Sequence, residues 1–246
     1  MVRFSVVAPC HNEALNIGEF VERTMRALPA MPGETEVIVI DDRSDDGSWE
    51  ILEGLARRFP RVLVVQRLPE RGRQMKAMSR GIEIAAGEWI IFSDADLQVS
   101  PEDFPRVAER LVEGVDVCAT WSAAHHQRYH VGRYVYSRLN RPANVLYSHL
   151  LLPVPVRSSA VTCLGVRARF LKGVRFRDID RRYVIPIAAR RGACRIVEIE
   201  MTKQRRVNGR SHYSLLYKTF FGAFEILAAR RRIRAGEYDE PPVHVA

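Results

Sequence analysis

No stretch of the 246-residue sequence offers the roughly 18 to 20 uninterrupted apolar residues that a membrane-spanning helix needs. The two nearest candidates fall short in different ways. Asn144 to Val156 is brief and interrupted by Pro153 and Pro155, and Tyr213 to Ala229 carries Lys218 and Glu225. Either can lie on a surface; neither spans. Cysteine is also sparse. The 4 cysteines, Cys10, Cys118, Cys163 and Cys194, are far apart and form no CxxC pair. That excludes a zinc knuckle or disulfide framework and points to reduced, buried thiols in a cytosolic setting. The N-terminal apolar stretch is too short for a secretory leader and reads as a first strand. There is no internal repeat, no low-complexity tract, and no helix-turn-helix or aromatic RNA-binding signature.

Hydrophobic residues at 47% and charged residues at 27% describe an ordinary folding chain. The net charge of +9 calls for an anionic partner, which by charge alone is nucleic acid, an acidic membrane surface or a phosphorylated small molecule, or for a merely solvated basic surface.

In the first half, β-rich runs alternate with helical periods. "FSVVAPC", "TEVIVIDD", "RVLVVQRL", "EWIIFSDAD" and "DVCATWS" read as strands, and the segments between them as helices. This predicts an α/β domain with a mostly parallel sheet covered by helices on both faces. Further on, "AVTCLGVRARFL" reads as a strand entering a helix, "RRYVIPIAARRG" as a helix and "CRIVEIEMTKQRR" as a strand. One domain over residues 1–236 is expected, with 1–121 and 122–236 as its halves and 237–246 as a flexible tail.

Ligands of such sheets bind beyond the carboxyl ends of the strands. "PCHNE" follows the first strand, "DDRSDDGS" the second and "SDADLQ" the fourth, so three acidic or amide clusters converge on one edge. Helix capping by Asn12, Asn16, Asp46 or Ser48 accounts for single clusters, but not for all three at strand ends. In "SDADLQ" a turn after Ala95 would let Asp94, Asp96 and Gln98 look into one cleft, an oxygen set suited to a hard divalent cation that neutralises a leaving diphosphate.

"SVVAPCHNEALNI", "VIVIDDRSDDGSWEIL", "RQMKAMSRGIEIAAGEWIIFSDADLQ" and "RRVNGRSHYSL" together resemble glycosyltransferase family 2, and most of all its polyprenyl-phosphate glycosyltransferases. The resemblance implies a single GT-A-type, Rossmann-like domain. It places Pro9, His11 (where a Tyr is usual), Asn12 and Glu13 in the nucleotide-sugar site, with Asp41 and Asp42 near base and ribose. Gln74, Asp94 and Ala95 join that site, and Asp96 and Gln98 become the ligands of Mg²⁺ or Mn²⁺. Arg206, Gly209, Ser211 and Tyr213 match a late R-x-x-G-x-S-x-Y signature whose Arg faces the diphosphate, so Asp94, Asp96 and Arg206 are the catalytic set. A guanidinium suits phosphate oxygens, and Ser211 adds a donor.

The sequence departs from the family pattern in two places. "VRSSAVTC" has Ser158 and Ser159 near an expected Asp, and "RQMKA" is preceded by Arg71 and opens on Arg73 where an Asn and a Gly are usual. Added arginines beside a donor pocket point to an acidic sugar.

For the acceptor, Arg133, Arg138 and Arg141 precede an apolar stretch with Tyr134, Tyr136 and Tyr147 close by. That is the make-up of an interfacial phosphate site, although an ordinary core helix with a basic outer face has it too. Lys218, Arg230, Arg231, Arg232 and Arg234 add charge that an anionic leaflet attracts. The expectation is an inverting transfer from a nucleotide sugar to polyprenyl phosphate, at the cytoplasmic face of a membrane. Attachment would be peripheral or through a membrane-embedded partner protein, with no nucleic acid involved. Two rivals are a family 2 enzyme with a hydroxyl acceptor, served by Asp178 and Asp180, and, more remotely, a nucleic-acid-binding protein.

Overall fold

The computed structural model describes residues 2–121, 163–174, 183–201 and 230–239, with positions 156, 176 and 228. The expected alternation is present as β1 (Phe4–Cys10), α1 (Ala14–Ala27), β2 (Thr35–Asp41), α2 (Ser48–Arg58), β3 (Leu63–Arg67), α3 (Arg73–Ile84), β4 (Trp89–Ser93), α4 (Phe104–Val112), β5 (Val117–Trp121), β6 (Cys163–Arg167), α5 (Val184–Arg190) and β7 (Ile196–Glu200). The "strand entering a helix" after β6 is a strand followed by a 3₁₀ turn at Ala168–Phe170.

Among the described residues 7 strands form one sheet, in the order β3-β2-β1-β4-β6-β5-β7. Of these described strands β6 alone runs against the others, pairing antiparallel with β4 and β5. The chain lays β2 and then β3 outward on one side of β1 and places β4 on its other side. The strand order thus reverses between β1 and β4, the position at which open α/β sheets bind ligands beyond their carboxyl ends.

Alternation along the strands feeds two cores. Val7, Ile38, Ile40, Ile90 and Phe92 face α3 and α5, packing with Met75, Met78, Ile185 and Ile187. Phe4, Val6, Val37, Val39 and Ile91 face the other way, against Ile17, Phe20, Leu52, Phe104 and Leu111 of α1, α2 and α4. Burial on both faces is why these runs read as continuously apolar. Cys10, Cys118 and Cys163 lie buried and unpaired, and Cys194 is exposed. Burial pushes the Cys10 and Cys118 thiols up to about 12, so they stay protonated and chemically quiet.

The expected flexible tail over residues 237–246 needs correcting at its start. Tyr238 is buried against the α3/α5 core, and Asp239 accepts from Arg190 Nε and Nη2, both at 2.6 Å. An aromatic ring and an ion pair tie down the start of a segment whose terminal position suggested fraying.

Candidate functional site

The loops after β1 and β2 are knitted together by their own polar side chains. Full register from Phe4↔Thr35 to Cys10↔Asp41 brings them level. Asn12 Nδ2 donates to Asp45 Oδ1 (2.7 Å), and Asp45 N donates back to Asn12 Oδ1 (3.0 Å). Asn12 N donates to Ser44 Oγ (3.0 Å) and Glu13 N to Ser48 Oγ (2.9 Å). Asp46 serves both helix starts, accepting from Ala14 N (2.9 Å) at α1 and from Ser48 N (3.0 Å) at α2. Burial works to raise the Asp46 carboxyl, but the donors from Ser48 and Ala14 more than offset it and hold it below the usual range.

Asp41 and Asp42 lie beneath this surface. Asp41 is 0% exposed. It accepts from Ser44 N (3.3 and 3.2 Å) and lies 3.1 Å from Arg67 Nε, its cross-strand neighbour on β3. Asp42, also buried, accepts from Gly72 N at 2.6 Å. Their carboxylates therefore position Ser44 and the 68–73 loop around the crevice.

Beyond β4 the chain turns at Ala95, as the sequence suggested. Ala95, Leu97 and Val99 are buried, while the intervening Asp94, Asp96 and Gln98 are partly exposed. The three polar side chains thus alternate with core residues. Gln74 Nε2 donates to Asp94 Oδ1 (2.7 Å) from the start of α3, and Gln98 N donates to Asp96 Oδ1 (3.1 Å). No group of three or more His, Cys, Asp or Glu placed to hold a metal occurs among the described residues. A cation here would rest on one or two carboxylates, the Gln98 oxygen, substrate and water. That oxygen-only set fits Mg²⁺ or Mn²⁺ and does not fit a softer metal.

Backbone strain marks the same edge. Among the described residues four non-glycines have positive φ: Asn12 (54°), Arg43 (59°), Arg73 (60°) and Leu97 (57°). They follow β1, β2, β3 and β4 in turn. Each costs on the order of 1–2 kcal/mol, and such strain collects at functional sites.

One further residue fastens the β4 loop. Arg23 of α1 donates to Glu102 through Nε (2.9 Å) and Nη2 (2.7 Å) and to Ser100 Oγ (2.8 Å). The Arg23 hydrogen bonds hold the Glu102 carboxyl down to about 2, from 4.5. Because the folded value is the lower one, this stabilisation is whole above pH 4.5 and is lost as pH falls through about 2. Glu102 is half-exposed and screened, so the effect is about 1 kcal/mol or less. Urea titrations should show Arg23→Met losing less stability than wild type between those pH values; equal losses would mean that Arg23 does not set the Glu102 titration.

The fold brings Pro9, His11, Asn12, Glu13, Gln74, Asp94, Ala95, Asp96 and Gln98 to the carboxyl edge around the switch point, with Asp41 and Asp42 under it. Arg133, Arg138, Arg141, Ser158, Ser159, Asp178, Asp180, Arg206, Gly209, Ser211, Tyr213 and Lys218 lie outside the described residues. Sequence reasoning missed Ser44, Arg67, Gly72 and Arg23. A cation closing the strand "LVVQR" was a signal for Arg67; nothing local distinguishes Arg23.

A family model described as "Glycosyl transferase family 2" matches residues 5–168. Over 227 residues the chain is 29% identical to a dolichol-phosphate mannosyltransferase of Pyrococcus furiosus, covering 89% of this chain and 61% of that protein. Over 215 residues it is 31% identical to an undecaprenyl-phosphate 4-deoxy-4-formamido-L-arabinose transferase of Edwardsiella ictaluri, covering 86% and 63%. The chain thus spans about three-fifths of the length of these relatives. Among solved structures, glucosyl-3-phosphoglycerate synthase from Mycobacterium tuberculosis, in complex with Mn²⁺, UDP and glucosyl-3-phosphoglycerate, superposes with a TM-score of 0.63 at 19% identity, covering 99% of this chain and 82% of that one. Mannosyl-3-phosphoglycerate synthase from Rubrobacter xylanophilus gives 0.65 at 16% identity, covering 95% and 75%. At these identities the likeness establishes a shared GT-A-type fold.

Proposed function

Because the chain belongs to glycosyltransferase family 2, we propose that it moves a sugar from a nucleotide sugar to a polyprenyl phosphate, giving a lipid-linked monosaccharide with inversion at the anomeric carbon. The observation that carries this reading is the placement of Asp94, Asp96 and Gln98 at the end of β4, beside the β1 loop, where the strand order reverses. The two curated relatives, named for transfers involving dolichol phosphate and undecaprenyl phosphate, support the acceptor class.

On the donor side Asn12 and Glu13 present the β1 loop to the nucleotide, and Asp41 and Asp42 hold the surrounding backbone in place. Asp94, oriented by Gln74, positions the donor sugar. Asp96 and Gln98 would hold Mg²⁺ or Mn²⁺. When bound, such an ion supplies Lewis-acid neutralisation of the leaving diphosphate. Arg206 and Ser211 donate to the same diphosphate in this reading.

An oxygen of the acceptor phosphate forms the new bond to the anomeric carbon as the bond to the nucleoside diphosphate breaks, and the electron pair leaves with the diphosphate. The attacking oxygen is already anionic near neutral pH, so no side chain needs to remove a proton. What the protein must supply is preorganised positive charge for two phosphates. Arg133, Arg138 and Arg141 take the acceptor phosphate.

Among the described residues no helix is long and apolar enough to cross a membrane. Contact with an anionic leaflet, on the cytoplasmic side where nucleotide sugars are made, rests in this reading on basic residues. Of the described ones, Arg231 and Arg234 are exposed on a segment anchored by buried Ile233 and Tyr238. Each contributes about 1 kcal/mol near such a surface. A membrane-embedded partner protein would serve the same end.

A hydroxyl acceptor is the second reading, and variants separate the two. Replacing Arg133 and Arg141 with alanine should cut transfer to vesicle-borne polyprenyl phosphate by roughly tenfold or more, with Asp180→Asn near wild type. The opposite pattern would favour a hydroxyl acceptor.

A further inference from the structure

The turn that carries the candidate cation ligands is fastened on both sides. Before it, Gln74 Nε2 donates to Asp94 Oδ1 (2.7 Å). After it, Arg23 of α1 donates through Nε to Glu102 Oε1 (2.9 Å) and through Nη2 to Glu102 Oε2 (2.7 Å) and Ser100 Oγ (2.8 Å). Ser100 Oγ itself donates to Glu102 Oε2 at 2.6 Å, and Glu19, one turn back on α1, accepts from Arg23 Nη1 at 3.3 Å. All three guanidinium nitrogens are thus engaged, and the Arg23 side chain is only 16% exposed. An arginine kept for solubility would stand out in water; this one is turned onto a loop 77 to 79 positions away.

Between the two fastenings the backbone is strained. Leu97 holds a φ of 57°, a conformation that a side chain adopts only at a cost and that persists only where its surroundings enforce it. Leu97 and Val99 are buried in the core that includes Phe20 and Phe104, whose rings meet edge to face with centroids 6.5 Å apart. These apolar contacts fix the depth of the segment. Being non-directional, they leave the rotation of its peptide units, on which the placing of the Asp96 and Gln98 oxygens depends, to the hydrogen bonds at either end. Ser100 stands two residues beyond Gln98. α1 also begins at the β1 loop, where Glu13 O accepts from Asn16 N and Ile17 N, both at 2.8 Å. From Glu13 to Arg23 the helix advances about 15 Å, so one rigid element sets the β1 loop against the Asp96–Gln98 turn.

We propose that Arg23, acting through Ser100 and Glu102, is a positioning residue for the divalent cation: it holds the Asp96–Gln98 turn in the arrangement that receives the ion. This rests on the reading of Asp96 and Gln98 as cation ligands. Groups that orient a metal ligand from behind typically cost about 10- to 100-fold in metal affinity when they are removed. Arg23 acts through the loop rather than on a ligand directly, so the lower end of that range applies. Arg23→Met keeps the aliphatic stem and deletes the donors.

The test uses the full chain with Mn²⁺ and UDP, and in parallel with Mn²⁺ and GDP, free Mn²⁺ being measured by electron paramagnetic resonance. Arg23→Met should weaken Mn²⁺ binding in the ternary complex by about tenfold. It should leave nucleotide affinity in EDTA at the wild-type value and give a loss of transfer that added Mn²⁺ restores. Arg23→Lys, which keeps a charged donor, should recover part of the affinity. Arg190→Met breaks a comparable ion pair, with Asp239 at 2.6 Å, beside the other core. It should leave Mn²⁺ affinity unchanged, which separates positioning from general stability. Should Arg23→Met not fold, Ser100→Ala decides, with an expected loss of about threefold. Wild-type Mn²⁺ affinity in the deciding variant, or an equal loss in Arg190→Met, would overturn the inference; if Asp96→Ala still loses the ion, the cation reading stands. Wild-type affinity in Asp96→Ala as well, or a wild type that binds no Mn²⁺ with either nucleotide, would overturn both.

Discussion

Asp96→Ala should reduce sugar transfer by about 10²-fold or more while leaving the fold intact. The expected size follows from the cation that Asp96 would help to hold, since neutralising the charge that develops on a leaving diphosphate is worth about 3 kcal/mol. Asp96 is only partly buried and sits in a turn after β4, not inside the sheet, so its removal leaves both cores unchanged. The turn loses the bond from Gln98 N to Asp96 Oδ1, a loss of about 1 kcal/mol. Gln98→Ala removes a neutral oxygen and should cost less, about tenfold. If Asp96 holds the cation, Asp96→Ala also abolishes the Mn²⁺-dependent part of nucleoside diphosphate affinity, measured by calorimetry with and without the ion. Wild-type transfer by the purified variant would remove Asp96 from the site.

The largest expected loss of stability comes from a residue with no side chain. A Cβ placed on Gly87 would lie 2.7 Å from both Phe4 C and Ser5 N, and 2.8 Å from Ser5 Oγ. Two of those three atoms are backbone of β1, a strand hydrogen-bonded on both sides, so no rotamer change relieves the clash. The turn that carries Gly87 is also tied to its neighbours. Gly87 N donates to Ser5 Oγ (2.9 Å) and Ala86 N to Glu36 Oε1 (2.7 Å). Gly87→Ala should therefore destabilise by about 3 kcal/mol, the upper range of overpacking, or lower the melting temperature by roughly 6–12 °C. The damage reaches function because β4 begins two residues later and leads to Asp94. A thermal melt within 2 °C of wild type, on the same order-of-magnitude scale, would show that the strand can yield.

What could be read in advance follows from which signals are local. The strands β1, β2 and β4 were visible because both of their faces are buried and their residues are continuously apolar. Their polar endings were visible because charge interrupts that pattern. The turn after Ala95 was legible for the same reason, since Asp94, Asp96 and Gln98 alternate with Ala95, Leu97 and Val99.

Pairing partners were not legible. Neither the reversed direction of β6 nor its insertion between β4 and β5 has a local signature, since both depend on how distant segments meet. Arg23 is one of many helix-face arginines until Glu102, 79 positions away, is brought against it. Asp41 and Asp42 could be recognised as a pair at a strand end, but only the register with Arg67 and the bond from Gly72 reveal that they face inward. Tyr238 and Asp239 looked like part of a frayed tail because their partners, the α3/α5 core and Arg190, are remote in sequence. Strand-end placement alone predicted that three separate clusters converge on one edge; the resemblance to family 2 added the nucleotide-sugar reading of that edge.

The most direct measurement is transfer itself. The purified chain is incubated with Mn²⁺, radiolabelled nucleotide sugars and vesicles containing polyprenyl phosphate, and label is followed into the lipid phase. The expected result is one lipid-linked monosaccharide, joined through a phosphodiester, of inverted anomeric configuration, and absent with Asp96→Ala. Label passing only to a hydroxyl acceptor, with none in the lipid phase for any donor, would contradict it.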